Sequence, residues 1–155
     1  MSAHAMDKTK THRILLAEDN EDDYLLTRDA FGEAGLPVEI QWVRDGEELM
    51  DYLLRREAYA KAGSAPTPGL ILLDMKMPKK SGLEALSEIK AHPELRLIPT
   101  VILSTSSSES DIRAAYERGA NGYVKKPVGF VLFVEAMEKI YHFWFGLAKR
   151  ATEAP

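Results

Sequence analysis

The chain has 155 residues, 45% hydrophobic and 28% charged, with no cysteine and a net charge of −4. That length suits about one domain with a single core, and the absence of cysteine excludes disulfides, thiolate metal sites and a thiol nucleophile. A sequence pI near 5.6 provides no basic field for direct nucleic-acid binding, and with no apolar run of the roughly 18 residues a membrane span needs, and no signal core, a cytoplasmic protein without membrane partners is expected.

Met1–Thr11 reads as a polar lead, expected to be disordered, ahead of a folded domain over residues 12–148 and a tail over 149–155. Five apolar runs follow: "RILLA" (13–17), "VEIQWV" (38–43), "GLILL" (69–73), "TVIL" (100–103) and "NGYVK" (121–125). Longer helical patterns separate them, the signature of βα units around a mostly parallel sheet. The first, third and fourth runs are nearly continuous in apolar residues, as strands covered on both faces are. The second alternates through Glu39 and Gln41 and is expected at an edge.

Helix starts are marked by Ser81 three residues before Glu84, a capping-box spacing, and by Asp45 before Glu48. Gly119 stops "ESDIRAAYERG". "REAYAKAGSAPTPG" (56–69) is expected to prolong the second helix before looping, as surface decoration. In the last helix, Phe130, Phe133, Val134, Met137 and Tyr141 are expected to face the sheet, leaving Val131, Phe143, Phe145 and Leu147 as surplus apolar surface. Such surplus marks an interface, or packs under the N-terminal lead.

In an open parallel sheet, chemistry collects beyond the carboxyl ends of the strands. Glu18 and Asp19 follow the first run, Asp74 the third, Ser104 and Thr105 the fourth, and Lys126 and Pro127 end the fifth. Each has an ordinary reading when taken singly. Glu18 and Asp19 cap, Asp22 and Asp23 favour the helix dipole, Ser104 ends a strand, and Lys126 is a solvated lysine. Together, three carboxylates at neighbouring strand ends repel, and a hard divalent cation, Mg²⁺ above all, compensates them. A hydroxyl and an ammonium then provide a donor and a point charge for a phosphate.

"LLAEDN", "LILLDMKMPKKSGLEAL", "IPTVILSTSS" and "GANGYVKKP", in that order, resemble the receiver domain of two-component response regulators. The resemblance implies a flavodoxin-like, doubly wound α/β fold with five parallel strands in the order 2-1-3-4-5. It implies Asp74 as phosphoacceptor, Asp19 as a direct Mg²⁺ ligand, Glu18 as a ligand through water, and the Lys76 carbonyl as a further ligand. Ser104, rather than Thr105, matches the switch hydroxyl, Tyr123 the switch aromatic and Lys126 the phosphate-binding lysine. A cis Lys126–Pro127 bond is also implied.

The partner implied is a sensor histidine kinase, and the "EDNEDD" entry with the long segment after the second helix resembles regulators of bacterial phytochrome-type kinases. With one helix and a tail left after Lys126, a stand-alone regulator is expected, not an enzyme. It would signal, and form a homodimer, through the fourth helix, fifth strand and fifth helix. Two departures stand out: the acidic pair is Glu-Asp rather than Asp-Asp, and Lys76 replaces a commonly neutral residue. The Lys76 ammonium is expected to alter the lifetime of the acyl phosphate. A haloacid-dehalogenase-like phosphatase, the enzyme alternative, resembles others of its kind in an Asp-x-Asp pattern that Lys76 breaks. A module that is never phosphorylated would not need Glu18, Asp19, Asp74, Ser104 and Lys126 together.

Overall fold

Nearly continuous apolar strands form the centre of the sheet. In the computed structural model, which describes residues 10–151, the strands are β1 (His12–Ala17), β2 (Val38–Val43), β3 (Leu70–Leu73), β4 (Thr100–Ser104) and β5 (Gly122–Lys125). The helices are α1 (Glu21–Glu33), α2 (Gly46–Leu54), α3 (Gly82–Ala91), α4 (Glu109–Glu117) and α5 (Phe130–Tyr141). Every pairing is parallel and the order is β2-β1-β3-β4-β5, with β2 at an edge as its alternation implied. Most of the polar lead lies outside the described residues, as does the end of the tail.

The two-residue period of the strands divides their side chains between two cores. Leu15, Ile71, Leu73 and Ile102 join α2 and α3 on one face; Ile14, Leu70, Leu72 and Leu103 join α1 and α5 on the other. β3 is wholly buried, so its four side chains are worth about 1.5–3 kcal/mol each against exposure. It is anchored before it delivers Asp74.

Caps start the helices where the spacing placed them. Ser81 accepts from the Glu84 amide and Glu84 reaches back to the Ser81 amide, a complete capping box. Asp45 accepts from the Glu48 amide at 2.8 Å, but the Glu48 carboxylate takes the Arg44 amide instead of closing a box.

Three expectations are corrected. α2 does not run on: it ends at Leu54, and Arg55, with φ 53°, closes it in the left-handed region. The Arg56 amide bonds back to the Asp51 carbonyl, a Schellman-type end that turns the chain out of the helix. The loop beyond is pinned to the body. Tyr59 Oη donates to Glu48 at 2.6 Å, Tyr52 Oη to the Pro66 carbonyl at 2.8 Å, and Arg55 Nε to the Ala65 carbonyl at 3.0 Å.

Lys126–Pro127 is trans, because no peptide among the described residues is cis. The Lys126 amide donates to the Ser104 carbonyl at 2.7 Å, extending the β4–β5 ladder up to the proline, and the trans isomer is intrinsically favoured by about 0.5–1 kcal/mol.

In α5 the buried side chains are Phe133, Met137 and Ile140, while Phe130 is exposed. The chain then widens into a π-helical turn, His142–Leu147. Its extra residue per turn swings Phe145 back onto the start of β1, where its ring stacks on His12 at 4.4 Å. Phe145 is therefore half-buried against the α1 and α5 core, and Val131, Phe143 and Leu147 remain outside. No helix among the described residues is long and apolar enough to cross a membrane.

Candidate functional site at the carboxyl edge of the sheet

Backbone pairing continues past the strands and holds the acids in place. The Glu18 amide donates to the Val43 carbonyl at 3.0 Å, and the Asp74 amide to the Ala17 carbonyl at 3.1 Å. Behind Asp74 the chain turns so tightly that a Cβ on Gly82 would lie 2.0 Å from the Asp74 carbonyl oxygen. Only glycine fits there, so the turn and the acceptor are built as one piece.

Carboxylate oxygens of Glu18, Asp19 and Asp74 come within 4.8 Å of one another, graded from buried through half-buried Asp74 to exposed Asp19. Burial raises the Asp74 pKa and the Asp19 charge adds to it, against the Lys126 charge and the Lys76 and Met75 amides. Burial likewise raises Glu18, opposed by its hydrogen bond and ion pair with Lys126. Burial works against the Lys126 ammonium, but Glu18, Asp74 and Asp23 outweigh it and hold its pKa above the ordinary value. The Lys126 ammonium sits 2.9 Å from Glu18 Oε1 and 3.4 Å from Asp23 Oδ2. A crowded, oxygen-only acid cluster with one neutralising cation suits a hard divalent metal ion.

Ser104, buried at the end of β4, accepts the Ser106 amide at 3.1 Å, while Thr105 is exposed. Tyr123, half-buried on β5, donates its hydroxyl to the Ser106 carbonyl at 2.9 Å. Both expected switch residues therefore hold the same loop residue. Lys76 is exposed beside the acceptor, and its amide bonds to the Asp74 carboxylate.

Three contributors escaped the sequence reading. Asp23 pairs with Lys126 as well as starting α1, a contact no local spacing signals. Ser106 ties Ser104 to Tyr123 and also donates to Asp111 at 2.6 Å. Trp42 donates its indole N–H to the Glu18 carbonyl at 2.7 Å and stacks on Tyr24 at 4.1 Å. An indole N–H on an edge strand needs a partner, and that need was the available signal.

Known proteins share this fold. The response regulator receiver domain matches residues 14–138, and the chain belongs to that family. It is 41% identical over 133 residues to the probable methanogenesis regulatory protein FilR2 of Methanothrix harundinacea, covering 86% of this chain and 83% of that protein. It is similar to the crystal structure of the phosphorylated cyanobacterial phytochrome response regulator RcpA, with TM-score 0.84, 39% identity, and 92% of this chain and 100% of that one covered. The Mn²⁺-bound response regulator Rcp1, a protein of Synechocystis sp., matches with TM-score 0.81 and 35% identity over 91% of this chain and 99% of that one.

Proposed function

We propose that this receiver is a stand-alone regulator that takes a phosphoryl group from a sensor histidine kinase onto Asp74. The observation that carries this is the meeting of Glu18, Asp19 and Asp74 within 4.8 Å beside the Lys126 ammonium. An Asp74 oxygen forms the new bond to phosphorus as the bond to the donor histidine breaks, giving an acyl phosphate. Positioning and charge do most of such catalysis. Asp19 and Asp74, Glu18 through water, and the Lys76 carbonyl would hold Mg²⁺, which neutralises the phosphoryl oxygens when bound. The Lys126 ammonium turns from Glu18 toward the phosphoryl group.

Ser104 exchanges its contact with the Ser106 amide for a hydrogen bond to the phosphoryl group. The loop that Tyr123 also holds then shifts, and Tyr123 turns inward. That changes the surface of α4, β5 and α5, through which copies pair and partners are met. The acyl phosphate is a signal and not a turnover intermediate. The likeness to phytochrome response regulators supports a bacteriophytochrome as the kinase and the cytoplasm as the place of action.

Phosphotransfer from a panel of autophosphorylated histidine kinases tests this reading. Label is expected on the wild type, absent from Asp74→Asn, and with an altered half-life in Lys76→Ala. Equal labelling of Asp74→Asn rejects Asp74 as acceptor, and an unchanged half-life rejects the role of Lys76.

A further inference from the structure

β2 leaves a row of backbone groups open. The His12 amide donates to the Pro37 carbonyl at 2.9 Å and the Glu18 amide to the Val43 carbonyl at 3.0 Å, and between them the register runs from Val38 to Val43 without a bulge. The odd-numbered residues of β2 therefore bond to β1, while Val38, Ile40 and Trp42 turn their carbonyls outward, with the Ile40 and Trp42 amides beside them. No strand among the described residues lies beyond. Natural edges are blunted by lysine, proline or a bulge, and Val38–Val43 has none of these. Its one charge, Glu39, points to the opposite face and pairs with Arg13 at 2.6 Å.

The same alternate residues line a cleft. Val38 and Ile40 meet Phe31 and Leu36 around a largely apolar hollow of about 290 Å³ between β2 and α1, with Gly32 and Arg28 on its helix side. Gly32 lies in the last turn of α1, although glycine is a poor helix former. Its backbone is not left-handed, and a Cβ there would meet nothing within 4 Å. Neither conformation nor packing calls for glycine, and what its missing side chain leaves is the opening of the cleft. Arg28 is the charged residue on the wall, more than half exposed and engaged by the equally exposed Asp29 beside it at 3.0 Å. An open strand edge beside a helix-walled apolar cleft takes an extended peptide as an added strand: main-chain bonds hold it and alternate side chains enter the cleft.

We propose that the β2 edge and the α1–β2 cleft bind an extended acidic segment of a partner protein, with apolar side chains at alternate positions in the cleft and a carboxylate on the same face against Arg28. Charge decides the occupant. A second copy of this chain, pairing β2 on β2, brings Val38, Ile40 and Trp42 on that face and no carboxylate for Arg28. Asp74 takes no part, so binding here and phosphotransfer succeed or fail separately.

Fluorescence anisotropy with labelled, capped synthetic peptides tests this. One peptide alternates two valines and a glutamate with threonines, a second carries lysine in place of the glutamate, and a third holds the residues of the first in scrambled order. The wild type is expected to bind the first roughly ten-fold more tightly than either of the others. Ile40→Pro removes an outward amide and leaves the bonds to β1 in place, and Gly32→Leu fills the cleft from the helix. Each should weaken binding by roughly ten-fold or more, with circular dichroism confirming the fold; should Ile40→Pro unfold, Gly32→Leu decides alone. Arg28→Glu should reverse the preference and select the lysine peptide. The proposal is overturned if the wild type binds none of the peptides, or binds the scrambled one equally well, or if Gly32→Leu binds like the wild type. Indifference to glutamate or lysine, in the wild type or in Arg28→Glu, overturns the acidic partner. Sedimentation showing a wild-type dimer that Ile40→Pro dissociates would assign the edge to a second copy instead.

Discussion

Trp42 supports Glu18 from the edge strand, and its contribution can be separated from its bulk. Its indole donates to the Glu18 carbonyl, Tyr24 stacks beneath it with ring planes 3° apart, and the Arg44 guanidinium lies 4.3 Å from its ring centre. Trp42→Phe keeps an aromatic ring on Tyr24 and removes the donor. Groups that orient metal ligands typically alter affinity by about 10–100-fold. Because this one acts through a backbone carbonyl, a loss of Mg²⁺ affinity near the lower limit is expected by calorimetric titration. Unchanged affinity would mean that Trp42 only packs. The acids themselves were legible because their type and place after each strand carry the chemistry. Trp42, Asp23 and Ser106 were not, since each acts through a neighbour that only the fold brings near.

At the scale of elements, the turn from β3 into α3 decides whether the acceptor is held. A Cβ at position 82 would meet the Asp74 carbonyl oxygen at 2.0 Å and the Met75 Cα at 2.8 Å, backbone atoms that cannot swing away. Gly82→Ala is therefore expected to cost about 2–3 kcal/mol in urea unfolding and to slow labelling of Asp74 by displacing it. A variant as stable and as fast as the wild type would contradict this account of the turn. β1, β3 and β4 were readable nearly to the residue, because continuous apolar runs bury on both faces whatever surrounds them, and β2 was readable from its alternation at the edge. The end of α2 was not: Arg55 adopts a left-handed conformation that its side chain does not announce. The helical period likewise misplaced Phe145, because it assumes 3.6 residues per turn, and the π-helical His142–Leu147 departs from it.

For the whole molecule, the acid cluster trades stability for function. Burial raises the pKa values of Glu18 and Asp74, so the folded protein binds those protons more tightly than the unfolded chain. The stability they confer is fully present below the ordinary carboxylate values and is lost as pH rises through the raised ones. Asp74→Asn should therefore gain on the wild type as pH rises through that window, reaching on the order of 1 kcal/mol near neutrality. Mg²⁺ should narrow the gap by stabilising the wild type more than the variant. A gap that does not depend on pH would argue against the strain assigned to the cluster. The central claim, that Asp74 receives a phosphoryl group with a divalent cation, is tested most directly by intact mass spectrometry after incubation with acetyl phosphate. The account predicts a gain of one phosphoryl group in the wild type, requiring Mg²⁺, removed by hydroxylamine and absent from Asp74→Asn. No gain, or an equal gain in Asp74→Asn, would contradict it.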